Sequence, residues 1–305
     1  MPHPLPAARP PLVSIVVPCY ITLPAQLQLL DETLSTVDAQ GCDDYEVVVV
    51  DDGSPIEPTR MVAAHPRTFT IRQPNGGPAV ARNAGIDLAR GRTFVFLDAD
   101  DHLLPGALET ALAELDAHQD CGFVVGPHEE MTCEGAAAPG TVAPPPPHAD
   151  LYLALLGGDW SFGPPSSAIF RRDVVEALGG FRDPWGADDL DFYLRAAYRF
   201  TAHGFQAPAV TRCRRHGAQP SRDAERMLHS LRAVYDRQWS LVRGWPEAEA
   251  AYDRGLARLT DPCLDGLVEN AAHLPRAGHD AGTRQGARLP AVERPQLARV
   301  TTGPS

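Results

Sequence analysis

From Leu12 to Gly126 the chain alternates short apolar runs with longer stretches in which apolar residues recur every three or four positions. Short apolar runs bounded by polar turns fit strands buried on both faces, and the longer periodic stretches fit helices. LVSIVV, EVVVV, FTIR, FVFL and GFVVG predict five strands, and the spacing between them predicts helices over Gln26 to Ala39, Pro55 to Ala64, Ala79 to Ala89 and Pro105 to His118. Such alternation implies βαβ units and an α/β fold whose mostly parallel central sheet is flanked by helices.

The second half is patterned differently. EGAAAPGTVAPPPPHAD, Glu134 to Asp150, is too rich in Pro, Ala and Gly for a core element and reads as a mobile loop. Beyond it the pattern predicts a strand at SSAIF, helices over Asp173 to Leu178 and Asp188 to Phe200, and a strand near AVTRC. Past Ser221 a helical region gathers Met227, Leu231, Val234, Tyr235 and Leu241 near one face, with Arg226, Arg232, Arg237 and Arg243 elsewhere. Packing against its own domain is the common use of such a helix; lying on an anionic membrane is the other.

Composition narrows the chemistry. The chain has 305 residues, 44% of them hydrophobic, enough for a globular core. Its 39 acidic against 27 basic residues give a net charge of -12, which repels a phosphate backbone and argues against a nucleic-acid partner. Every basic residue is Arg. Without Lys there is no P-loop lysine, no pyridoxal Schiff base and no Lys general base. No GxGxxG follows a strand, which disfavours a dinucleotide-dependent dehydrogenase. The six cysteines are scattered without a CxxC pair, as expected of reduced thiols. The opening MPHPLPAARPP lacks the features of a signal peptide, and no stretch reaches bilayer-spanning length. The expectation is a cytoplasmic protein with no transmembrane segment, for which peripheral membrane contact stays open.

Two acidic clusters fall where strands end, the place where open α/β sheets bind ligands: VVDDGS, Val49 to Ser54, and FLDADD, Phe96 to Asp101. The first also reads as a helix start, with Ser54, Pro55 and Glu57 forming a capping box. In the second, clustered carboxylates repel one another, and a hard divalent cation such as Mg2+ or Mn2+ relieves that repulsion. The plainer alternative has Asp101 capping the helix near Pro105 and its neighbours solvated. Asp188, Asp189 and Asp191 likewise suit the first turn of a helix, whose dipole favours acids.

The motifs VSIVVPCY, EVVVVDDGS, GGPAVARNAGIDLARG, FVFLDADD, AIFRRDVVEALGGF and DDLDFYLRAA stand in an order that resembles the family 2 glycosyltransferases, inverting enzymes of the GT-A fold. The resemblance covers about Leu12 to Ser221. It implies that Pro18 and Tyr20 line a nucleotide pocket, that Asp52 pairs with the base, and that Arg82 lies near the nucleotide or diphosphate. It makes Asp98 and Asp100 the DxD element, with Asp100 the metal ligand and Asp98 closer to the ribose or the ion. Asp189 matches the catalytic base, while Asp188 stands where the family usually has Glu, and Ile21 where many relatives have Asn. His216 is a further candidate ligand for the metal or diphosphate, and Arg214 or Arg215 could reach the phosphates. The implied cofactor is Mn2+ or Mg2+; the implied partners are a nucleotide diphosphate sugar, foremost a UDP-sugar, and a hydroxyl acceptor.

On this reading the chain divides into a flexible tail (1–11), a nucleotide-sugar-binding half (12–133), the Pro-rich loop (134–150), an acceptor-side half (151–221), a helical extension (222–277) and a disordered tail (278–305). The rival from another class is a non-catalytic module that binds a nucleotide sugar, which would need no base.

Overall fold

The computed structural model of the chain describes residues 9–144, 150–159, 164–182, 186–215 and 224–273. The first half runs β1 (Val13–Cys19), α1 (Pro24–Asp38), β2 (Tyr45–Asp51), α2 (Thr59–Val62), β3 (Thr68–Arg72), α3 (Pro78–Leu88) and β4 (Thr93–Phe96). It continues through β5 (His102–Leu103), α4 (Ala107–Ala117), β6 (Phe123–Val125), β7 (His128–Met131) and β8 (Ala137–Val142). The second half adds α5 (Leu151–Leu156), β9 (Ala168–Arg171), α6 (Arg172–Leu178), α7 (Asp188–Arg199), β10 (Ala202–Gly204), β11 (Thr211–Arg214), α8 (Ala224–Val242) and α9 (Pro246–His273).

Seven strands form the central sheet in the order β10-β6-β9-β4-β1-β2-β3. All neighbours in it are parallel except β9, which runs antiparallel between β4 and β6. The valine-rich β1 and β2 are almost wholly buried because both sheet faces are covered. Their side chains alternate between two cores: Val16, Val48 and Val50 join one with Phe94, Phe96 and Phe170, while Ile15, Val17, Val47 and Val49 join the other with Leu30 and Leu108. Because Cys19 pairs with Asp51 and Val16 with Phe96, Tyr20, Asp52 and Asp98 all leave the sheet along one edge.

Three sequence expectations change. The helix over Pro55 to Ala64 shrinks to the single turn of α2, and Ser54 caps nothing there; its Oγ accepts instead from the Ile21 N–H at 2.8 Å. Ile21 is core. The 134–150 loop contains β8, the outer strand of a second, four-stranded sheet ordered β5-β11-β7-β8. Pro139 and Gly140 (φ 108°) are tolerated there because an edge strand needs only one ladder, and the register with β7 breaks between Glu129 and Met131. Asp101 does not cap α4, whose N-terminal cap is Gly106.

The C-terminal region is helical as expected, and α8 spends its apolar face on its own domain: Leu231, Val234, Tyr235 and Val242 join the core containing Phe170, while Arg226, Arg232, Arg243 and Leu241 are exposed. No described helix is long and apolar enough to cross a membrane. The tails 1–8 and 274–305, and residues 145–149 of the Pro-rich segment, lie outside the described residues.

Candidate active site

Leu97 extends β4 by donating its N–H to Val16 O, and the chain then turns through Asp98 to Asp101, where the Asp101 N–H reaches Asp98 O at 3.1 Å. Long-range contacts brace this turn. The Thr33 hydroxyl of α1 lies 3.0 Å from Ala99 O, and Arg214 of β11 donates through Nε to Asp100 O at 3.1 Å. Arg214 also places its backbone N–H 2.9 Å from Asp101 Oδ1 and a terminal nitrogen 3.0 Å from Glu32. It is therefore a buried brace and not a hand reaching for phosphate. Arg215 pairs with Glu130 at 2.6 Å.

Asp101 is buried, and its Oδ2 has no hydrogen-bond partner among the described residues. Burial first, then the charges of Asp98 and Asp100, push its carboxyl well above the usual carboxylate range. Asp98 and Asp100 are half-buried at the mouth of the turn. These carboxylates offer only oxygen donors, and the charges of Asp98 and Asp100 bear on the buried Asp101, which is a set that fits a hard divalent cation. The residues that would hold such an ion are Asp98 and Asp100.

Arg82, on the second turn of α3, joins this turn to the head of α7. One terminal nitrogen donates to Asp98 Oδ1 at 2.7 Å and the other to Asp188 Oδ2 at 2.6 Å, with the guanidinium 5.3 Å above the Phe181 ring. Arg82 and Asp188 are both buried. Burial pushes the Asp188 carboxyl up to about 7, with Arg82 opposing the shift. Asp191, one turn on, is fully buried between Arg195 at 2.7 Å and Arg237 at 3.1 Å. Asp189 differs from both. Its Oδ1 accepts from the Leu190 N–H at 2.7 Å, but among the described residues it forms no ion pair. Burial raises its carboxyl above the usual range, and Arg82 is the largest opposing influence.

At the end of β2, Asp52 organises the loop that leads into α3. Its Oδ1 accepts from Gly76 N–H at 2.9 Å and Gln73 Nε2 at 2.7 Å, and its Oδ2 from Gly77 N–H at 2.8 Å. A carboxylate has about four acceptor positions, so one on Oδ2 remains. Asp51 is occupied by Arg72 at 2.6 Å and the Ser54 N–H at 2.8 Å. Near Asp52, the half-buried Pro18 is the last residue but one of β1, and the exposed Tyr20 follows Cys19 at the end of the strand. The edge of the sheet thus brings together Tyr20, Asp52, Arg82, Asp98, Asp188 and Asp189; His216 lies outside the described residues. Thr33, Glu32 and Asp101 are site supports that sequence reading missed. The one available signal was Thr33, a polar residue on the buried face of α1.

The model of the family described as Glycosyl transferase family 2 matches residues 14–179, more than half of the chain. The chain belongs to glycosyl transferase family 2. It is 32% identical over 201 residues to the uncharacterized protein y4gI of Sinorhizobium fredii, covering 62% of this chain but only 20% of that protein. This family 2 chain therefore spans about a fifth of that relative's length. Among solved structures it is similar to S. aureus TarS 1-349 in complex with UDP-GlcNAc: TM-score 0.64, 18% identity, 81% of this chain and 72% of that one. The mannosyltransferase PcManGT of Pyrobaculum calidifontis, in complex with GDP-Man and Mn2+, gives TM-score 0.56 and 24% identity over 87% of this chain and 76% of that one. The family 2 chain shares their GT-A type fold.

Proposed function

We propose that this family 2 glycosyltransferase moves a sugar from a nucleotide diphosphate sugar, foremost a UDP-sugar, to a hydroxyl acceptor with inversion at the anomeric carbon. The observation that carries the proposal is the division of labour at the head of α7. Asp188 and Asp191 are held by arginines, and Asp189 alone of the three is left without an ion pair among the described residues. A base for the acceptor hydroxyl must be an ionisable group free to take a proton, and a raised carboxyl pKa makes it a stronger base once ionised. Deprotonated Asp189 takes the hydroxyl proton as the acceptor oxygen attacks from the face opposite the leaving group, which inverts the centre.

Asp98 and Asp100 would hold Mn2+ or Mg2+, and an ion there would supply Lewis-acid stabilisation to the charge developing on the departing diphosphate. Arg82 keeps Asp98 and Asp188 together, so the donor turn and the base stay in register. Asp52 accepts a nucleobase N–H at its remaining Oδ2 position, and the exposed Tyr20 ring, beside Pro18, offers that base a stacking face. UDP-GlcNAc in TarS and GDP-Man with Mn2+ in PcManGT support the donor class and the metal.

The test is nucleoside diphosphate release from a panel of UDP- and GDP-sugars, with and without Mn2+, alongside calorimetric titration of UDP. Slow metal-dependent release is expected from one donor, and Asp100→Ala should lose the Mn2+ enhancement of UDP binding. Tight binding with no release from any donor would favour the non-catalytic module, and equal enhancement in Asp100→Ala would remove the ion from that turn.

A further inference from the structure

At the far end of α4 from the aspartate turn, Glu114 and His118 occupy positions i and i+4 and face His203 of β10, the edge strand of the central sheet. Among the described residues this is the group of three metal-ligating side chains that converges: one ligand atom from each lies within 4.8 Å of the other two. We propose that Glu114, His118 and His203 bind a transition-metal ion, Zn2+ by preference, as a clasp between α4 and β10.

The geometry is that of groups that approach without completing hydrogen bonds to one another. Glu114 Oε2 is 3.7 Å from His118 Nδ1 and 3.9 Å from His203 Nε2, both beyond hydrogen-bond distance. In a tetrahedral zinc site, ligand atoms about 2.0–2.2 Å from the ion lie roughly 3.3–3.5 Å from one another. The 3.9 Å between Glu114 Oε2 and His203 Nε2 exceeds this by about half an ångström. The His118 ring is anchored by its Nδ1, 2.9 Å from the Glu114 carbonyl oxygen, which assigns Nε2 as its ligating nitrogen, since metal-bound imidazoles are oriented through the ring nitrogen that does not ligate.

The two imidazoles stack with centroids 3.6 Å apart and planes 18° from parallel, so one ring turns on binding to bring both in-plane lone pairs onto the ion. A neutral imidazole offers an acceptor nitrogen as well as a donor, and the Glu114 carboxylate is acceptor-only. Two imidazoles and a carboxylate select Zn2+, Ni2+ or Cu2+ over Mg2+ and Ca2+. All three residues are partly exposed, which leaves an entry path.

This site is separate from the aspartate turn. His118 lies eleven positions past Ala107, roughly 16 Å along the helix axis. It is also independent of the proposed transfer reaction. Its consequence is mechanical: α4 follows the aspartate turn and β10 precedes β11, which carries the Arg214 brace, so a clasp would fasten both segments at their distal ends.

The experiment titrates chelator-stripped full-length chain with zinc chloride against a competing indicator and follows thermal unfolding. One Zn2+ per chain is expected, with Tm rising by about 5 °C at a hundredfold excess over Kd. Glu114→Gln and His203→Asn should each weaken binding by at least about tenfold, while Asp100→Ala leaves it unchanged. Metal-free Tm values within about 2 °C of the parent show that the variants fold. Co2+ in place of Zn2+ should give the intense visible absorption of a tetrahedral site, lost in His203→Asn. Absence of zinc binding by the parent, or equal affinity in the folded His203→Asn variant, would overturn the proposal.

Discussion

Arg82 and Asp188 meet at 2.6 Å although 106 positions separate them, and the same guanidinium holds Asp98 at 2.7 Å. Removing one partner of a buried pair leaves the other charge without compensation and costs about 3–5 kcal/mol. At about pH 8, above the raised Asp188 value, Arg82→Ala should therefore lower unfolding stability by about 3 kcal/mol in denaturant titrations, with buried Asp188 and not the more exposed Asp98 carrying most of the loss. Arg82→Lys keeps the charge but cannot bond both acids with a planar fork, so it should fall between. Stability equal to the parent in both variants would show that the bridge contributes nothing.

Asp188 carries a pH signature. Burial lifts its carboxyl from 3.8 to about 7 in the folded chain. Between those values the folded state keeps a proton that the unfolded state releases, so this residue's stabilising contribution is present below the lower value and lost as pH rises through the upper. Measured from about pH 4 to about pH 7, the Tm of the parent should fall relative to that of Asp188→Asn. Parallel curves would place the folded carboxyl in the ordinary range.

The brace at Ala99 rests on one hydroxyl. Thr33 Oγ1 lies 3.0 Å from Ala99 O and 2.9 Å from Leu29 O. Thr33→Val keeps the shape and leaves Ala99 O without that donor, which should cost about 1 kcal/mol. Because the carbonyl sits between Asp98 and Asp100, Mn2+-dependent UDP binding should weaken as well. A stability loss with unchanged nucleotide affinity would mean that the turn holds its shape without Thr33.

Packing under α3 is equally tight. A Cβ added at Gly85 would fall inside contact distance of Val16 Cγ1 and 3.3 Å from Val50 Cγ2, both in the central strands. Gly85→Ala should push α3 away from the sheet and cost about 1–3 kcal/mol. Since Arg82 lies one turn earlier, transfer should fall further than the folded fraction does. Activity that tracks folded fraction alone would separate α3 seating from the site.

What the sequence made legible follows from local causes. Apolar runs predicted β1, β2 and β4 because strands covered on both faces need continuous apolar residues, and the ends of β2 and β4 located Asp52 and Asp98. β8 was hidden because Pro139 and Gly140 argue against a core strand, and only its edge position tolerates them. β7, HEEM, carries too much charge to register as a strand. Arg82 was visible in its motif, yet its pairing with Asp188 depends on α3 and α7 meeting across the sheet, which no local spacing encodes. The bracing by Arg214 was unreadable for the same reason.

Asp189 and Asp191 give the sharpest comparison, because they lie in one helical turn and differ in what holds them. Asp191 is fully buried between Arg195 and Arg237, so Asp191→Asn should remove compensation from two arginines and lower Tm. Asp189 has no such pair among the described residues, and burial disfavours its charge, so Asp189→Asn should leave Tm unchanged or raise it. Its cost should appear in turnover instead. Loss of a general base is worth about 10²–10⁴-fold, so kcat should fall by that factor while donor Kd by titration stays within about twofold. A folded Asp189→Asn variant with near-parental kcat would remove Asp189 from the reaction, and a Tm loss matching that of Asp191→Asn would reassign it to the scaffold.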